Sequence, residues 1–388
     1  STLDQSEQRE GLMRMARGEY RLVYAAPERL SLPGFRRALE GLDCSLIAVD
    51  EAHCISEWGH DFRPEYMQIG ELLSRMPDSR VLACTATATP VVRDEIIARL
   101  GLGADTRQIV SGFARPNLSL RVREVSWARD REWRVDAALA EALGSPGGGG
   151  TAIVYSPTRR ATEAEAERLE RAGWSAQAYH AGLPGPRRDR VQKDFFIGGC
   201  QVVVATNAFG MGIDRPDVRA VVHLAPPGST EAYYQEVGRA GRDGRDSICL
   251  MLINPGDMPL RRRLIERGSG KDGVSDPEAI QNNWNLILEL MRWAEGGSCR
   301  HDAILRYFGD EEETLSGCGR CDVCMAIAEG GEQDPETVSL TVRKALSAVA
   351  RTNGRFGIQV AANLLRGFAG DERLSWSGLD QSPTFGAL

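Results

Sequence analysis

The chain has 388 residues and a mass of 42.4 kDa, which is enough to bury roughly two or three hydrophobic cores. Apolar residues make up 42% and charged residues 26%, and the net charge of −7 excludes a protein coated in basic surface. No apolar run approaches the ~20 residues of a membrane span, and no charged-then-apolar leader opens the sequence, so we expect a cytoplasmic location.

The first part of the chain alternates helical and strand patterns. Residues 1–4 give an N-cap signal for a helix through Met15, and strands are predicted at residues 21–24, 46–49 and 81–84. Thr89 and Pro90 are a good N-cap and first residue for the next helix. This alternation indicates a parallel, doubly wound sheet.

Two acids, Asp50 and Glu51, follow the apolar strand at residues 46–49. This is the edge at which open α/β sheets bind their ligands. One carboxylate there can hold the magnesium ion of a nucleotide, and the next can orient water for attack on a γ-phosphate. The structural alternative is a strand that ends in solvated acids.

A second βα series begins at Leu118, after a boundary at residues 113–117. Strands are predicted at residues 151–155 and 202–205, and residues 156–158 cap a helix that ends near Gly173. The glycines of residues 206–214 allow backbone amides to approach a phosphate, and Asp214 can accept a ribose hydroxyl.

Residues 234–244 carry two arginines, Arg239 and Arg242, which share one face if they lie on a helix. A guanidinium offers fixed donors and a permanent charge to a transferring phosphoryl group. The alternative is a solvated basic turn. We favour Arg242 as the arginine finger, with Arg239 and Gln235 supporting the phosphates.

The nine cysteines form two groups. Five stand singly near apolar runs and are predicted to be small buried residues: Cys44, Cys54, Cys84, Cys200 and Cys249. The other four have the C-x2-C spacing of a structural zinc site: Cys299, Cys318, Cys321 and Cys324. Gly317 and Gly319 would let the backbone wrap the ion. A disulfide framework is the weaker alternative, and His301 is a less favoured ligand.

These motifs, in this order, resemble the RecQ family of superfamily 2 DNA helicases. Asp50-Glu51-Ala52-His53 resembles the family's DEAH form of the Walker B box, and residues 54–66 (Cys-Ile-Ser-Glu-Trp-Gly-His-Asp-Phe-Arg-Pro-Glu-Tyr) resemble its aromatic-rich loop. Further segments resemble the remaining family motifs: residues 25–30 motif Ib, Thr85 and Thr87 motif III, residues 156–158 motif IV, residues 206–214 motif V, and residues 234–244 the arginine motif.

The resemblance implies roles for individual residues. Those expected to be catalytic are Asp50, Glu51, His53, Gln235, Arg239 and Arg242. Those expected to bind nucleotide are Asp50, Glu51, Gly212, Asp214, Arg239 and Arg242. Those expected to contact DNA are Arg29, Trp58, His60, Phe62, Arg63, Ser156, Thr158 and Thr206. The implied cofactors are ATP, Mg²⁺ and a zinc ion held by Cys299, Cys318, Cys321 and Cys324.

The expected fold is α/β, with two RecA-like doubly wound parallel-sheet domains, a helical zinc-binding subdomain and a partial winged helix. We place the first RecA-like domain, which is incomplete, at residues 1–116 and the second at residues 117–256. The zinc-binding subdomain is placed at residues 257–331 and the start of the winged helix at residues 332–388.

The expected function is 3′→5′ unwinding of DNA driven by ATP, in DNA repair and recombination, on single-stranded, branched or duplex DNA. No Gly-x4-Gly-Lys-[Ser/Thr] string occurs, and Gly270-Lys271 lacks the flanking residues that a phosphate-binding loop needs. We therefore expect a fragment whose phosphate-binding loop lies upstream. The alternatives are a catalytically silent DNA-binding piece and, less favoured, a translocase that remodels RNA.

Overall fold

The computed structural model describes residues 4–57, 59, 61–103, 105–210, 213–268, 270–271, 274–330 and 334–388. The chain divides into two compact units, Ser1–Met325 and Ala326–Leu388. The first unit contains two α/β lobes and a helical subdomain, and the second unit is helical. Among the described residues, no helix has both the length and the apolar character that crossing a membrane requires.

The first lobe is built around a short parallel sheet. Its elements are α1 (Gln5–Ala16), α2 (Pro33–Glu40), β1 (Leu46–Val49), α3 (Met67–Ser74), β2 (Arg80–Ala83) and α4 (Pro90–Arg99), with 3-10 helices at Pro27–Ser31, Ala52–Ile55 and Pro64–Tyr66. β1 and β2 pair in parallel, with Leu46 opposite Arg80 and Val49 opposite Ala83. As predicted, the Asp4 side chain caps α1 and the Thr89 side chain caps α4 by accepting a hydrogen bond from the Val92 N–H.

The strand predicted at residues 21–24 is wrong. This segment pairs with no described strand, and the Tyr24 side chain is 89% exposed. An apolar segment becomes a strand only when a neighbour supplies backbone partners. The first sheet has two strands among the described residues, and Leu46 and Leu82 on it are exposed.

Three of the five single cysteines are buried as predicted: Cys54, Cys200 and Cys249. The prediction is wrong for Cys84, which is exposed, and Cys44 is only half-buried. Cys84 directly follows β2 and lines a cleft rather than a core, which explains its exposure.

The second lobe is a six-stranded, all-parallel sheet with helices on both faces. Its elements are β3 (Leu118–Glu124), α5 (Ala128–Leu143), β4 (Thr151–Tyr155), α6 (Arg159–Arg171), β5 (Ala176–Tyr179), α7 (Gly185–Ile197), β6 (Val202–Ala205), β7 (Val218–His223), α8 (Thr230–Val237) and β8 (Ser247–Ile253). The strand order is β3-β8-β7-β4-β6-β5. Every residue of β4 and β6 is buried, because helices cover both faces of the sheet. The strands predicted at residues 151–155 and 202–205 are confirmed.

A helical subdomain packs on the second lobe. It contains α9 (Asp257–Gly268), a small hairpin of β9 (Gly270–Lys271) and β10 (Val274–Ser275), α10 (Pro277–Glu295), α11 (Arg300–Tyr307) and the start of α12 (Asp322–Glu329), a helix that continues past Met325 into the second unit. Leu290, Ile304 and Phe308 belong to the same apolar cluster as the inner residues of β3, β6 and β8. The Phe308 ring also stacks on Phe113, with ring centroids 4.7 Å apart. The subdomain and the second lobe therefore share one core.

The second unit is a small helical bundle. It contains α13 (Pro335–Thr352), α14 (Ile358–Leu365), α15 (Glu372–Trp376) and a 3-10 helix at Leu379–Gln381. Its core consists of Ala348, Val360, Ala361, Leu364 and Leu374.

Candidate functional site

The acids after β1 lie where the chain turns sharply. Glu51 has left-handed backbone angles, φ 49° and ψ 43°, and its N–H donates to Asp50 Oδ1 over 2.9 Å. The Tyr66 hydroxyl donates to the Asp50 carbonyl oxygen over 3.2 Å. A left-handed non-glycine residue is uncommon and has to be held by its surroundings. These contacts hold the backbone at Glu51 in this conformation.

The environment of Glu51 disfavours its charge. Burial raises the pKa of the Glu51 carboxyl, and the negative charges of Asp50 and Asp61 raise it further. Arg63 and Arg239 act in the opposite direction, and Arg239 belongs to the second lobe. A carboxyl with a raised pKa beside a cleft is a candidate general base.

His53 connects the acids to the segment that follows β2. Its ring is buried, and Nδ1 lies 2.8 Å from Thr85 Oγ1 and 3.4 Å from Glu51 Oε2. Two residues later, Thr87 Oγ1 accepts a hydrogen bond of 2.9 Å from Gln235 Nε2 on α8. Polar contacts therefore join the acidic box to Thr85 and, at Thr87, the first lobe to the second.

The two arginines do not lie on a helix, which corrects the prediction that they share a helix face. α8 ends at Val237, and Gly241 has φ 57°, so Arg239 and Arg242 are in the turn after the helix. Arg242 Nη1 donates to Asp214 Oδ1 over 2.7 Å, and Arg239 donates to the Gly210 carbonyl oxygen. Both side chains are held by the loop after β6.

The arginine turn is held from behind by residues that sequence reasoning treated only as a domain boundary. The Arg115 guanidinium donates to the carbonyl oxygens of Gly238, Ala240 and Gly241. Asn117 Nδ2 donates to the Gly241 carbonyl oxygen over 2.9 Å, and a Cβ on Gly241 would lie 2.4 Å from that nitrogen. Gly241 is therefore required both for its positive φ and for this close approach.

A first cleft of about 840 Å³ separates the two lobes. Its first-lobe wall includes Glu51, Thr85 and Arg93, and its second-lobe wall includes Asp214, Gln235, Arg239 and Arg242. Its volume suits a drug-sized or nucleotide-sized ligand. Asp50 is exposed at the end of β1 and is not among the residues that line this cleft.

A second cleft, of about 610 Å³, lies on the other side of Glu51 and Arg239. Of the residues expected to contact DNA, it is lined by Arg63, Ser156 and Thr206. Phe62 is 37% exposed, as expected for an aromatic-rich loop. Trp58, His60 and Gly212 lie outside the described residues.

The other two residues expected to contact DNA have structural contacts. Thr158 Oγ1 accepts a hydrogen bond from the Ala161 N–H and so caps α6. The Arg29 guanidinium lies over the Phe35 ring, 4.7 Å from its centroid. Neither residue lines one of the two clefts.

The four clustered cysteines meet at one point. Their sulfur atoms all lie within 4.8 Å of one another, and Cys318 Sγ lies 4.0 Å from Cys324 Sγ. Tetrahedral Zn–S bonds of about 2.3 Å place sulfur atoms about 3.8 Å apart, so the cluster fits a zinc ion with four thiolate ligands. A set of four protein ligands leaves no open position, which makes the site structural.

Backbone amides point at two of these sulfurs. The N–H groups of Arg300 and Cys324 point at Cys321 Sγ, and those of Arg320 and Cys321 point at Cys318 Sγ. Burial opposes ionisation of Cys321, but its hydrogen bonds outweigh burial and lower the pKa of this thiol, whereas burial raises the pKa of the Cys318 and Cys324 thiols. The loop reaches this geometry through Gly317 and Gly319, whose φ values are 95° and 68°.

His301 is not part of the cluster. Its ring is buried, and Nε2 donates to the Leu118 carbonyl oxygen over 2.9 Å. Burial lowers the pKa of His301, which favours the neutral ring. The less favoured ligand of the sequence analysis therefore has a structural role on β3.

Carboxylates tie the cysteine cluster to the rest of the unit, and no local sequence signal indicated them. Asp302 accepts from the N–H groups of Leu315 and Gly317, so it shapes the cysteine loop. Asp322 forms a buried ion pair with Arg300 and also accepts from the Val122 N–H on β3.

Glu313 reaches the segment between the lobes. Its carboxylate accepts two hydrogen bonds of 2.8 Å, one from the Gly112 N–H and one from the Ala114 N–H. These hydrogen bonds lower the pKa of the Glu313 carboxyl, so the charged form is favoured. The cysteine-bearing subdomain therefore contacts the same stretch of chain that holds the arginine turn.

Four family models match the chain in sequence order. The model described as "DEAD/DEAH box helicase" matches residues 1–95, and "Helicase conserved C-terminal domain" matches residues 135–244. "RecQ zinc-binding" matches residues 255–325, and "RQC domain" matches residues 335–388. The matched regions contain the acidic box, the arginine turn and the cysteine cluster.

Curated relatives match along nearly the whole chain. An "ATP-dependent DNA helicase RecQ" of Bacillus subtilis is 36% identical over 100% of this chain and 62% of its own length. Proteins of the same name from Pasteurella multocida and Haemophilus influenzae are 36% and 35% identical over 94% of this chain, and over 54% and 55% of their own lengths. The chain thus spans between about half and three fifths of these relatives, and on these matches it belongs to the RecQ helicase family.

Proposed function

We propose that this chain is the greater part of the motor of an ATP-dependent DNA helicase that moves 3′→5′. One observation carries the proposal: Glu51 from one lobe and Arg239 and Arg242 from the other line a single cleft of about 840 Å³. A base on one wall and guanidiniums on the opposite wall are what transfer of a phosphoryl group to water requires. The names of the relatives support ATP as the nucleotide and DNA as the substrate.

The residues of the first cleft and their neighbour Asp50 then have roles. Glu51 would orient and deprotonate the attacking water, and Asp50, which lies at the end of β1 outside the lining of the cleft, would hold Mg²⁺, whose charge offsets that of the phosphates. Arg242 stabilises the charge that develops on the transferred group, and Arg239 and Gln235 support the phosphates. Asp214 holds Arg242 through their 2.7 Å contact until the nucleotide takes the guanidinium.

The second cleft supplies the path for the DNA strand. Arg63, Ser156 and Thr206 lie on it, and the aromatic-rich loop that carries Phe62 borders it. Aromatic side chains stack on bases without sequence preference. The contacts from Glu51 to His53 and from His53 to Thr85 would report the state of the nucleotide to this loop.

The alternative function is that of a catalytically silent, zinc-bearing DNA-binding piece. It is favoured by one observation: the sequence contains no Gly-x4-Gly-Lys-[Ser/Thr] string to bind the phosphates. The two functions apply to different molecules, the first to the whole helicase and the second to this chain by itself. The chain contributes to a helicase, and by itself it hydrolyses no ATP.

The cellular setting follows from the same proposal. A motor of this family that acts on DNA serves DNA repair and recombination, and we place it in the cytoplasm. Its substrates would be single-stranded, branched and duplex DNA, and zinc would be a resident structural ion at the cysteine cluster.

The test is a steady-state assay of phosphate release with Mg²⁺, ATP and single-stranded DNA. It compares the chain as given with the "joined protein", which is the same chain preceded by the phosphate-binding-loop segment of a RecQ relative. We expect DNA-stimulated hydrolysis only in the joined protein, and its loss in Glu51→Gln. Stimulated hydrolysis by the chain alone would refute its inertness. A folded joined protein that binds ATP but is not stimulated by DNA would refute the motor.

A further inference from the structure

Arg261, on helix α9 of the helical subdomain, is a cation that has no hydrogen-bond or ion-pair partner among the described residues. It lines the second cleft, where its Nε has no accessible surface and no hydrogen-bond partner. It forms no hydrogen bond or ion pair with any residue that the structure describes. Burial lowers the pKa of this guanidinium, and Glu236 and Asp257 act against the shift from beyond ion-pair distance.

The other charged side chains of this cleft have identified contacts. Arg63 Nη2 lies 2.9 Å from Asp61 Oδ2, and Glu236 Oε2 lies 2.7 Å from Nε2 of the buried His223. Arg239 donates to the Gly210 carbonyl oxygen, and Glu51 is within ion-pair distance of His53. The terminal nitrogens of Arg261 therefore remain available to a ligand.

A half-buried guanidinium without a partner is unfavourable, because it loses part of its hydration and gains no compensating contact. Such a group is retained when a ligand supplies the missing charge. A guanidinium has only donors, so the ligand must be an acceptor, and its planar fork suits two oxygens of one phosphate.

Ser156 is a second donor without a partner in the same cleft. It directly follows β4, its side chain is only 6% exposed, and its buried Oγ has no hydrogen-bond partner among the described residues. A buried polar atom in this state indicates a missing ligand. Neither Ser156 nor Arg261 lines the first cleft, so the nucleotide of the proposed function does not supply that ligand.

We infer that Arg261 binds backbone phosphate of a single-stranded nucleic acid in the second cleft, beside Ser156, which the family resemblance already implies as a DNA contact, so that the helical subdomain grips the strand together with the second lobe. This inference rests on the proposed function, because that function supplies the strand. It assigns to α9 a direct contact with DNA. The cysteine-bearing part of the subdomain has a separate role, because it contacts the segment between the lobes.

The test compares two variants of one helix in binding to a fluorescent single-stranded DNA across a salt series. Arg261→Gln removes the cleft cation, and Arg263→Gln removes the same charge from an exposed position two residues away. Each phosphate contact on a single strand contributes about −0.7 to the slope of log K against log salt. We expect Arg261→Gln to flatten the slope by about 0.7 and to weaken binding about tenfold, and Arg263→Gln to change neither.

Two further variants keep the result decisive. Arg261→Lys retains the charge and should retain most of the salt slope. Ser156→Ala removes no charge, so it should leave the salt slope unaltered and weaken binding by a smaller factor than Arg261→Gln does. If Arg261→Gln matches Arg263→Gln in slope and affinity, the inference is refuted while the motor proposal stands. A lowered melting temperature in Arg261→Gln with an unchanged slope would also refute it, because Arg261 would then be structural. If the unaltered chain binds no single-stranded DNA, the proposed function fails as well.

Discussion

At the scale of single residues, the structure places Glu51 where its charge is unfavourable in the absence of ligand. The carboxylate lies among Asp50 and Asp61, it is partly buried, and the backbone beneath it is in the left-handed region. A group with this environment reduces stability, and a nearby cation such as Mg²⁺ would offset the repulsion from the neighbouring acids. The activity of the site and the stability of the lobe should therefore respond in opposite directions when this charge is removed.

We predict that Glu51→Gln raises the melting temperature of the chain at pH 8. The folded-state pKa of Glu51 is raised, so its ionised form is the destabilising one. That penalty is present at alkaline pH and disappears as pH falls below the unfolded-state pKa, where the carboxyl is protonated in both states. The increase should therefore shrink toward zero near pH 4, as measured by thermal unfolding over a pH series.

The control is Glu311→Gln, a change of the same charge at an exposed position. It should alter the melting temperature little at any pH. A Glu51→Gln variant that is less stable than the unaltered chain at pH 8 would show that the carboxylate stabilises the lobe, contrary to this account.

At the scale of elements, the segment between the lobes is more than a connection. Arg115 and Asn117 hold the arginine turn from one side, and Glu313 holds the Gly112 and Ala114 amides from the other. Asp322 in turn joins the cysteine loop to β3. The cysteine-bearing subdomain is thus connected to the arginine turn through the segment between the lobes. Glu313 binds one part of that segment, and Arg115 of the same segment binds the turn.

This arrangement explains which elements the sequence predicts well. β4 is predicted to the residue because an apolar run covered by helices on both faces has only one good conformation. The helix over Arg239 and Arg242 is predicted wrongly because Gly238 and Gly241 stop it, and the turn they form is stabilised by Arg115, more than a hundred residues away in sequence. No local pattern contains that contact.

We predict that Cys321→Ser removes the metal and unfolds the cysteine-bearing part of the subdomain. Structural zinc supplies about 10–16 kcal/mol of apparent binding free energy in small domains, and the Cys321 side chain is fully buried. Because Glu313 and Asp322 leave their partners when the loop unfolds, protease sites should open in both the loop and the interlobe segment. Metal content by mass spectrometry and limited proteolysis measure the two effects.

Cys84→Ser is the matched control for this change. Cys84 is an exposed cysteine of the first lobe outside the cluster, so its substitution should leave one zinc ion per chain and the protease pattern unaltered. Full metal content in Cys321→Ser would contradict the assignment of four thiolate ligands.

At the scale of the whole molecule, the first lobe and the second lobe of the first unit both line the first cleft. The order of the motifs along the chain predicts this pairing, because each set follows the strands of its own sheet and the carboxyl ends of parallel strands meet at one edge. The order of the motifs does not predict which side chains contact one another at the cleft. The hydrogen bond from Gln235 to Thr87 and the 2.7 Å contact that holds Arg242 on Asp214 depend on the positions of whole lobes.

The contact between Arg242 and Asp214 lies within the second lobe, and the two side chains are 38% and 83% exposed. In the proposed function, a γ-phosphate across the cleft would compete with Asp214 for the guanidinium. A partner exchange of this kind costs little, because one charge-assisted hydrogen bond replaces another. It would couple closure of the lobes to the chemical state of the nucleotide, which is the requirement for stepping along a strand.

The last prediction concerns Arg242→Ala in the joined protein. Arginine fingers contribute roughly 10³–10⁵ to the rate of phosphoryl transfer, because they stabilise charge that is present only in the transition state. We therefore expect phosphate release to slow by about 10³-fold while the dissociation constant for ATP changes by less than about tenfold. Single-turnover hydrolysis and equilibrium binding of a fluorescent ATP analogue measure the two quantities separately.

Arg245→Ala is the control, because Arg245 lies three residues further on with its side chain 83% exposed and 3.9 Å from the Asp243 carboxylate. It should leave both quantities near those of the unaltered protein, whereas an equal loss of hydrolysis and binding in Arg242→Ala would make Arg242 a binding residue and not the finger.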